Sequence, residues 1–159
     1  MNSVKVELDN GCPDHWTPQA SDMETWLTAA SRQLARPGKP VTLSIRVVDE
    51  VESAALNRDY RGKDSPTNVL SFSCELPDQV LDSLERLPLG DLAICAPVVL
   101  AEASAQGKSR EAHWAHLLTH GFLHLHGYQH DTPEEAKAME SLETDVLETL
   151  GFPNPYLIN

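Results

Sequence analysis

Basic residues are scarce in this 159-residue chain: 12 Lys and Arg stand against 24 Asp and Glu, a formal net charge of −12. Binding along a nucleic-acid backbone is driven by Lys and Arg that neutralise phosphates, so the deficit excludes a general nucleic-acid coat. Long apolar runs are also missing. None approaches the roughly 20 residues that a membrane span needs, and the longest, Leu92 to Ala101, is interrupted by Pro97. The opening Met1 to Glu7 lacks the apolar stretch of a signal peptide. These absences point to a cytoplasmic location and no membrane partner. Cysteine is limited to Cys12, Cys74 and Cys95, with no C-x-x-C pair. An odd, dispersed set argues against a disulfide framework and fits a reducing compartment. The three thiols read as small buried apolar groups.

What is present has the composition of a soluble globular protein, 41% apolar and 23% charged residues. A chain of this length is expected to form one domain with a substantial core. Its charge is unevenly spread. From Asp131 onward there are seven acids and one base, Lys137. By contrast Arg58, Arg61 and Lys63 fall within six residues. A local basic site on an acidic body is therefore compatible with the composition.

Periodicity and punctuation divide the chain. Val4 to Leu8 and Val41 to Val48 alternate as strands do. Thr17-Pro18 has the form of an N-cap followed by a proline in the first turn, and predicts a helix to about Arg36, closed by Pro37-Gly38. Asp49 to Glu52 has the shape of a capping box, with a helix to about Arg58 and a polar loop over Arg61 to Pro66. Asn68 to Ser73 and Leu89 to Ala96 read as two further strands joined by a proline-flanked linker. Pro97 opens a helix to about Gln106, and a histidine-rich helix spans roughly Ser109 to His126. Thr132-Pro133 starts a last helix that stops at Gly151. The order predicts an α+β fold: a small mixed β-sheet of about four strands packed with about five helices.

Six of the seven histidines lie between His113 and His130. Within that stretch His120, His124 and His130 form an H-x3-H-x5-H pattern. Positions four apart share a helix face, so His120 and His124 can aim at one point. Gly127 is a natural helix stop, beyond which the chain can return His130 to the same point. Three convergent imidazoles are the ligand set of a catalytic zinc ion, which keeps a fourth position for water. The expectation is a zincin-like metal helix and one Zn2+ per chain, with residues 1–159 as a single metal-dependent hydrolase domain.

The other histidines sort by position. His113 and His116 continue the stripe of His120 and His124 toward the helix start. They either line a substrate groove, support the ligands from behind, or pack on the sheet. His126 is rotated away from the stripe and is not expected to be a ligand, and His15 carries no signal. The zincin motif H-E-x-x-H places a Glu general base directly after the first His. Here that position is Gly121, which argues against a peptidase. Asp91, at the start of its strand, stands either near the cleft or in solvent.

Two blocks resemble a known family. His120-Gly-Phe-Leu-His124-Leu-His-Gly127-Tyr-Gln-His130 is similar to the signature of the YbeY family of bacterial metallo-endoribonucleases. Leu56-Asn57 followed by Tyr60-Arg61-Gly-Lys-Asp-Ser-Pro66-Thr-Asn68-Val-Leu-Ser-Phe72 is similar to a second family block. Gly90-Asp91 followed by Ile94, and the tail Glu140 to Gly151, add to the likeness, which covers about residues 40 to 155.

The resemblance implies one zinc on His120, His124 and His130, with Arg61 as the active-site residue that does not bind metal. It implies cleavage of single-stranded RNA in ribosomal RNA maturation, notably at the small-subunit 3′ end, and in ribosome quality control. The implied partners are the small ribosomal subunit and an Era-type GTPase. The chemistry is compatible: zinc lowers the pKa of a bound water and polarises a phosphoryl oxygen, and a guanidinium is a planar fork for phosphate oxygens. Lys63, His113 and His116 are candidates for the substrate groove, with Lys108 and Arg110 further out. The missing Glu leaves the proton acceptor open among the metal-activated water, His113, His116 and Asp91. The competing readings are a metallopeptidase-like hydrolase, opposed by Gly121, and a non-catalytic assembly factor with structural zinc. The latter would need a fourth protein ligand, usually Cys.

Overall fold

A computed structural model describes residues 3–34 and 39–157 of the chain. Four strands form one mixed sheet: β1 (Val4–Asn10), β2 (Val41–Val48), β3 (Val69–Ser73) and β4 (Leu87–Cys95). Their order is β1-β2-β4-β3, with β1 parallel to β2, β2 parallel to β4, and β3 antiparallel to β4. Among the described residues there are six helices: α1 (Ala20–Arg32), α2 (Glu50–Arg61), α3 (Asp78–Ser83), α4 (Ala96–Gln106), α5 (Arg110–Leu125) and α6 (Pro133–Thr149). The fold is α+β, as the element order predicts. None of these helices is long and apolar enough to cross a membrane.

The core joins the buried faces of β1, β2 and β4 to α1 and α5, with Met23, Leu27, Leu43, Ile45, Ile94, Trp114, Leu118 and Phe122 fully buried or nearly so. Helix α5 lies on β3 and β4, and α6 packs on α5 and α1. The approach of α5 to the sheet is close at Gly121. A Cβ there would stand 2.8 Å from Cδ2 of Leu92 and 3.3 Å from Oγ of Ser71. A glycine at this turn lets the helix settle onto β3 and β4 and holds the next residues of its stripe above the β3 edge.

Several boundaries differ from the sequence reading for local reasons. Helix α1 starts at Ala20 after Gln19, and the Thr17 hydroxyl accepts instead from the Asn10 side chain at 3.4 Å. Its end is Arg32, earlier than expected, and the proposed Pro37-Gly38 stop lies outside the described residues. The linker between β3 and β4 contains the extra helix α3, six residues long with none buried. It buries no apolar stripe, so it has no periodic signature.

The end of α2 matters most. The helix continues through Arg61, and Gly62 closes it in the left-handed region at φ 70°. Gly62 N–H donates to Arg58 O and Lys63 N–H to Asn57 O, the arrangement a C-terminal glycine permits. Arg61 therefore sits in the last helical turn, where a cation is favoured by the helix dipole, and not in the expected loop. Two buried polar residues, Ser53 and Asn57, hold the following segment down. Ser53 Oγ donates to Thr67 O at 2.8 Å and accepts from Thr67 N–H at 2.9 Å, and Asn57 Nδ2 donates to Ser65 O at 2.8 Å.

Candidate metal centre

Helix α5 has the start its sequence requires: Ser109 Oγ accepts from Ala112 N–H at 3.1 Å. It ends where Gly127 adopts φ 94°, with Gly127 N–H donating to His124 O and Tyr128 N–H to Leu123 O. That turn sends the chain back toward the helix. One ligand nitrogen from each of His120, His124 and His130 then lies within 4.8 Å of the others.

Hydrogen bonds fix the tautomers of His124 and His120. Nδ1 of His124 is 2.8 Å from Tyr128 O. A carbonyl only accepts, so this nitrogen carries the proton and Nε2 carries the lone pair. Nδ1 of His120 is 3.1 Å from Oε2 of Glu143, and a carboxylate imposes the same choice. The two bare Nε2 atoms face one another at 3.0 Å. Opposed lone pairs at that distance repel unless a cation lies between them. The separation also suits two ligands of one ion, each nitrogen being about 2 Å from the metal. Burial foremost, and then neighbouring His120, push the His124 pKa below the ordinary imidazole value. The neutral form that metal binding needs is thereby favoured. The donor set fits a divalent cation.

Glu143 anchors the centre from behind. It is 0% exposed on α6. Oε1 accepts from His116 Nε2 at 2.6 Å and from the Tyr156 hydroxyl at 2.6 Å, while Oε2 faces His120. Burial would raise the pKa of this carboxyl. The hydrogen bonds from His116, His120 and Tyr156 outweigh burial and hold it at about 2. Tyr156 responds oppositely: burial, and then its bond to Glu143, push the phenol above its ordinary value.

The three imidazoles open onto a cavity of about 740 Å³, walled on the other side by β3 and the end of α2. Arg61 is the single Lys or Arg among the described residues lining it. Among the described residues no Asp or Glu belongs to that lining.

The chain matches the family model described as Endoribonuclease YbeY over residues 14–151. It is 51% identical over 139 residues to Endoribonuclease YbeY of Halorhodospira halophila, an alignment that covers 87% of this chain and 88% of that protein. This chain belongs to the YbeY family. A solved structure, the solution structure of TM1509 from Thermotoga maritima, is similar in fold over 93% of this chain and 91% of its own, with a TM-score of 0.54 and 20% identity. That likeness concerns the α+β fold alone.

His116 is in the cavity wall, already engaged with Glu143 and Tyr156. His113 is 3% exposed, pairs with Glu102 of α4 at 3.0 Å, and is not part of the wall. Its place one turn earlier rotates it under α4. Lys63 is exposed beyond the Gly62 turn, outside the wall. Asp91 is exposed on β4 and also outside it. Arg110 lies over the Trp16 ring at 4.3 Å, and Lys108 is likewise outside the wall. His126 packs on Phe122 and does not join the cluster of three. Cys12 and Cys95 are buried free thiols, and Cys74 is partly exposed. Sequence reasoning missed Glu143 and Tyr156. The one available signal for Glu143 was that it interrupts the apolar stripe of α6, lying four residues after Met139 and three before Val146 on the buried side.

Proposed function

We propose that this chain is a zinc-dependent, single-strand-specific endoribonuclease that acts in ribosomal RNA maturation, at the small-subunit 3′ end, and in ribosome quality control. Membership of the YbeY family supports the endoribonuclease activity. The carrying observation is the pair of bare Nε2 atoms at 3.0 Å, completed by His130 and set over a cavity with one guanidinium. In this reading His120, His124 and His130 hold the zinc. When bound, zinc supplies Lewis acidity and activates water for attack on phosphorus. The small ribosomal subunit and an Era-type GTPase are its working partners.

The chain's own residues divide the remaining tasks. Glu143 and the Tyr128 carbonyl hold the imidazole rings in the ligating tautomer. Arg61 offers its fork to the phosphate oxygens, whose negative charge grows in the transition state. His116 belongs to the holding network, since its Nε2 is committed to Glu143. A metallopeptidase mechanism lacks its base, because Gly121 stands where the zincin Glu would be, and a Cβ there would already meet Leu92 Cδ2 at 2.8 Å. Among the described residues the metal cluster has three members, which favours an open catalytic position over a closed structural site.

The test combines metal analysis with cleavage of one labelled RNA, alone and annealed to its complement. About one zinc per chain in the wild type and little in His124→Ala is expected, with the single strand cut in preference to the duplex. Few phosphates are neutralised in such a site, so the salt slope of binding should be shallow. Full metal content in His124→Ala, or equal cleavage of the duplex, would overturn the assignment.

A further inference from the structure

Tyr60 is 68% exposed in the wall of the metal cavity. Among the described residues the exposed large aromatics are Tyr60 and Tyr156, and both line this cavity. Tyr156 is tied down. Its hydroxyl donates to Glu143 and its ring lies edge-on to His116 at 5.4 Å. Tyr60 is held differently: its ring meets Phe72 of β3 edge-to-face, with centroids 4.9 Å apart and planes at 68°. An edge-to-face contact orients a ring while leaving much of its surface uncovered. Phe72 is in the same cavity wall, and the next residue after Tyr60 is Arg61.

We propose that Tyr60, braced by Phe72, is a stacking platform for a nucleobase of the single-stranded RNA, beside the phosphate that Arg61 receives. The inference rests on the nuclease reading and adds a base subsite to it. Two observations favour a base as the occupant. The lining holds one cation, and the chain is strongly acidic, so phosphate neutralisation contributes little to binding. Affinity must come from elsewhere, and base–aromatic stacking is tolerant of sequence. Second, base and phosphate hang from one ribose, and Tyr60 and Arg61 are consecutive on one helix end. The platform also gives a physical basis for choosing single strands: a base inside a duplex is stacked on its neighbours and offers no free face.

The experiment measures steady-state cleavage of a short fluorescent single-stranded RNA by the zinc-loaded protein. Tyr60→Ala should raise KM about 5- to 150-fold, the range of one lost base–aromatic stack, with kcat within a few-fold of wild type. Tyr60→Phe should keep KM within about twofold, because the π-face is preserved. An abasic ribose-phosphate strand used as a competitor should inhibit wild type and Tyr60→Ala equally. The salt dependence of KM should be unchanged in Tyr60→Ala, since no phosphate contact is lost. If wild type cleaves the strand and Tyr60→Ala has the wild-type KM, the platform is refuted while the nuclease reading stands. If the abasic competitor separates the two proteins, Tyr60 contacts the backbone and the base subsite is refuted. If wild type does not cleave the strand at all, both readings fall.

Discussion

Glu143 and His120 are 23 residues apart in sequence and meet at 3.1 Å, carboxylate Oε2 to imidazole Nδ1. The contact joins α6 to α5 through a fully buried charge. An isolated carboxylate would not be stable there. Its three donors, His116, His120 and Tyr156, make it so, and in return it dictates which nitrogen of His120 is free.

Glu143→Gln should therefore weaken zinc binding by about 10- to 100-fold, the usual effect of losing a group that orients a ligand. The amide can accept from one imidazole but presents its NH2 to another donor. Competition with a chromophoric chelator measures the change. Affinity within twofold of wild type would remove Glu143 from the positioning role.

Arg61→Ala should keep the fold and the zinc and lose most RNA cleavage. Its side chain is exposed at a helix end, so stability depends on it little. Loss of one electrostatic contact to a transition state costs about 2.7–4 kcal/mol, or roughly 100- to 1000-fold in rate. Cleavage within a few-fold of wild type, at unchanged metal content and melting temperature, would contradict the assignment.

Gly121→Glu restores the zincin spacing but not zincin chemistry. The new Cβ would meet Leu92 at 2.8 Å, and Leu92 is itself fully buried. A carboxylate forced between α5 and the sheet should cost roughly 3 kcal/mol or more. Urea unfolding gives the number, and a loss below about 1 kcal/mol would mean that the helix stands further from the sheet.

His113 predicts acid sensitivity. Burial is the main cause that pushes its pKa below the ordinary 6.5, with Glu102 acting in the opposite direction. The unfolded chain then binds this proton more readily than the folded one, so stability falls as pH drops below about 6.5. Urea unfolding of chelator-treated protein at about pH 7.5 and about pH 5.5 measures that fall. His113→Gln should lose less on acidification than wild type. An identical loss would show that His113 titrates freely in the folded state.

Features encoded over short distances were legible in the chain. The metal triad lies within one helix end and the turn after it, so a four-residue spacing and Gly127 were enough to bring His120, His124 and His130 together. Most strands and helices were legible for the same reason, because alternation and capping act over a few residues. Helix α3 was not, since it buries nothing and so leaves no pattern.

Which of several similar residues point inward depends on long-range packing. Glu143 is one acid among seven in the acidic tail, and its spacing from Met139 and Val146 places it on the apolar stripe without saying what it meets there. The packing of α6 on α5 rotated it under two imidazoles. Arg61 and Lys63 are two residues apart, yet the left-handed turn at Gly62 leaves one in the cavity wall and the other outside. His113 and His116 share a stripe, but α4 covers the first while Glu143 holds the second. Local sequence sets the conformation of the backbone, whereas the burial of a side chain depends on which distant surface it meets.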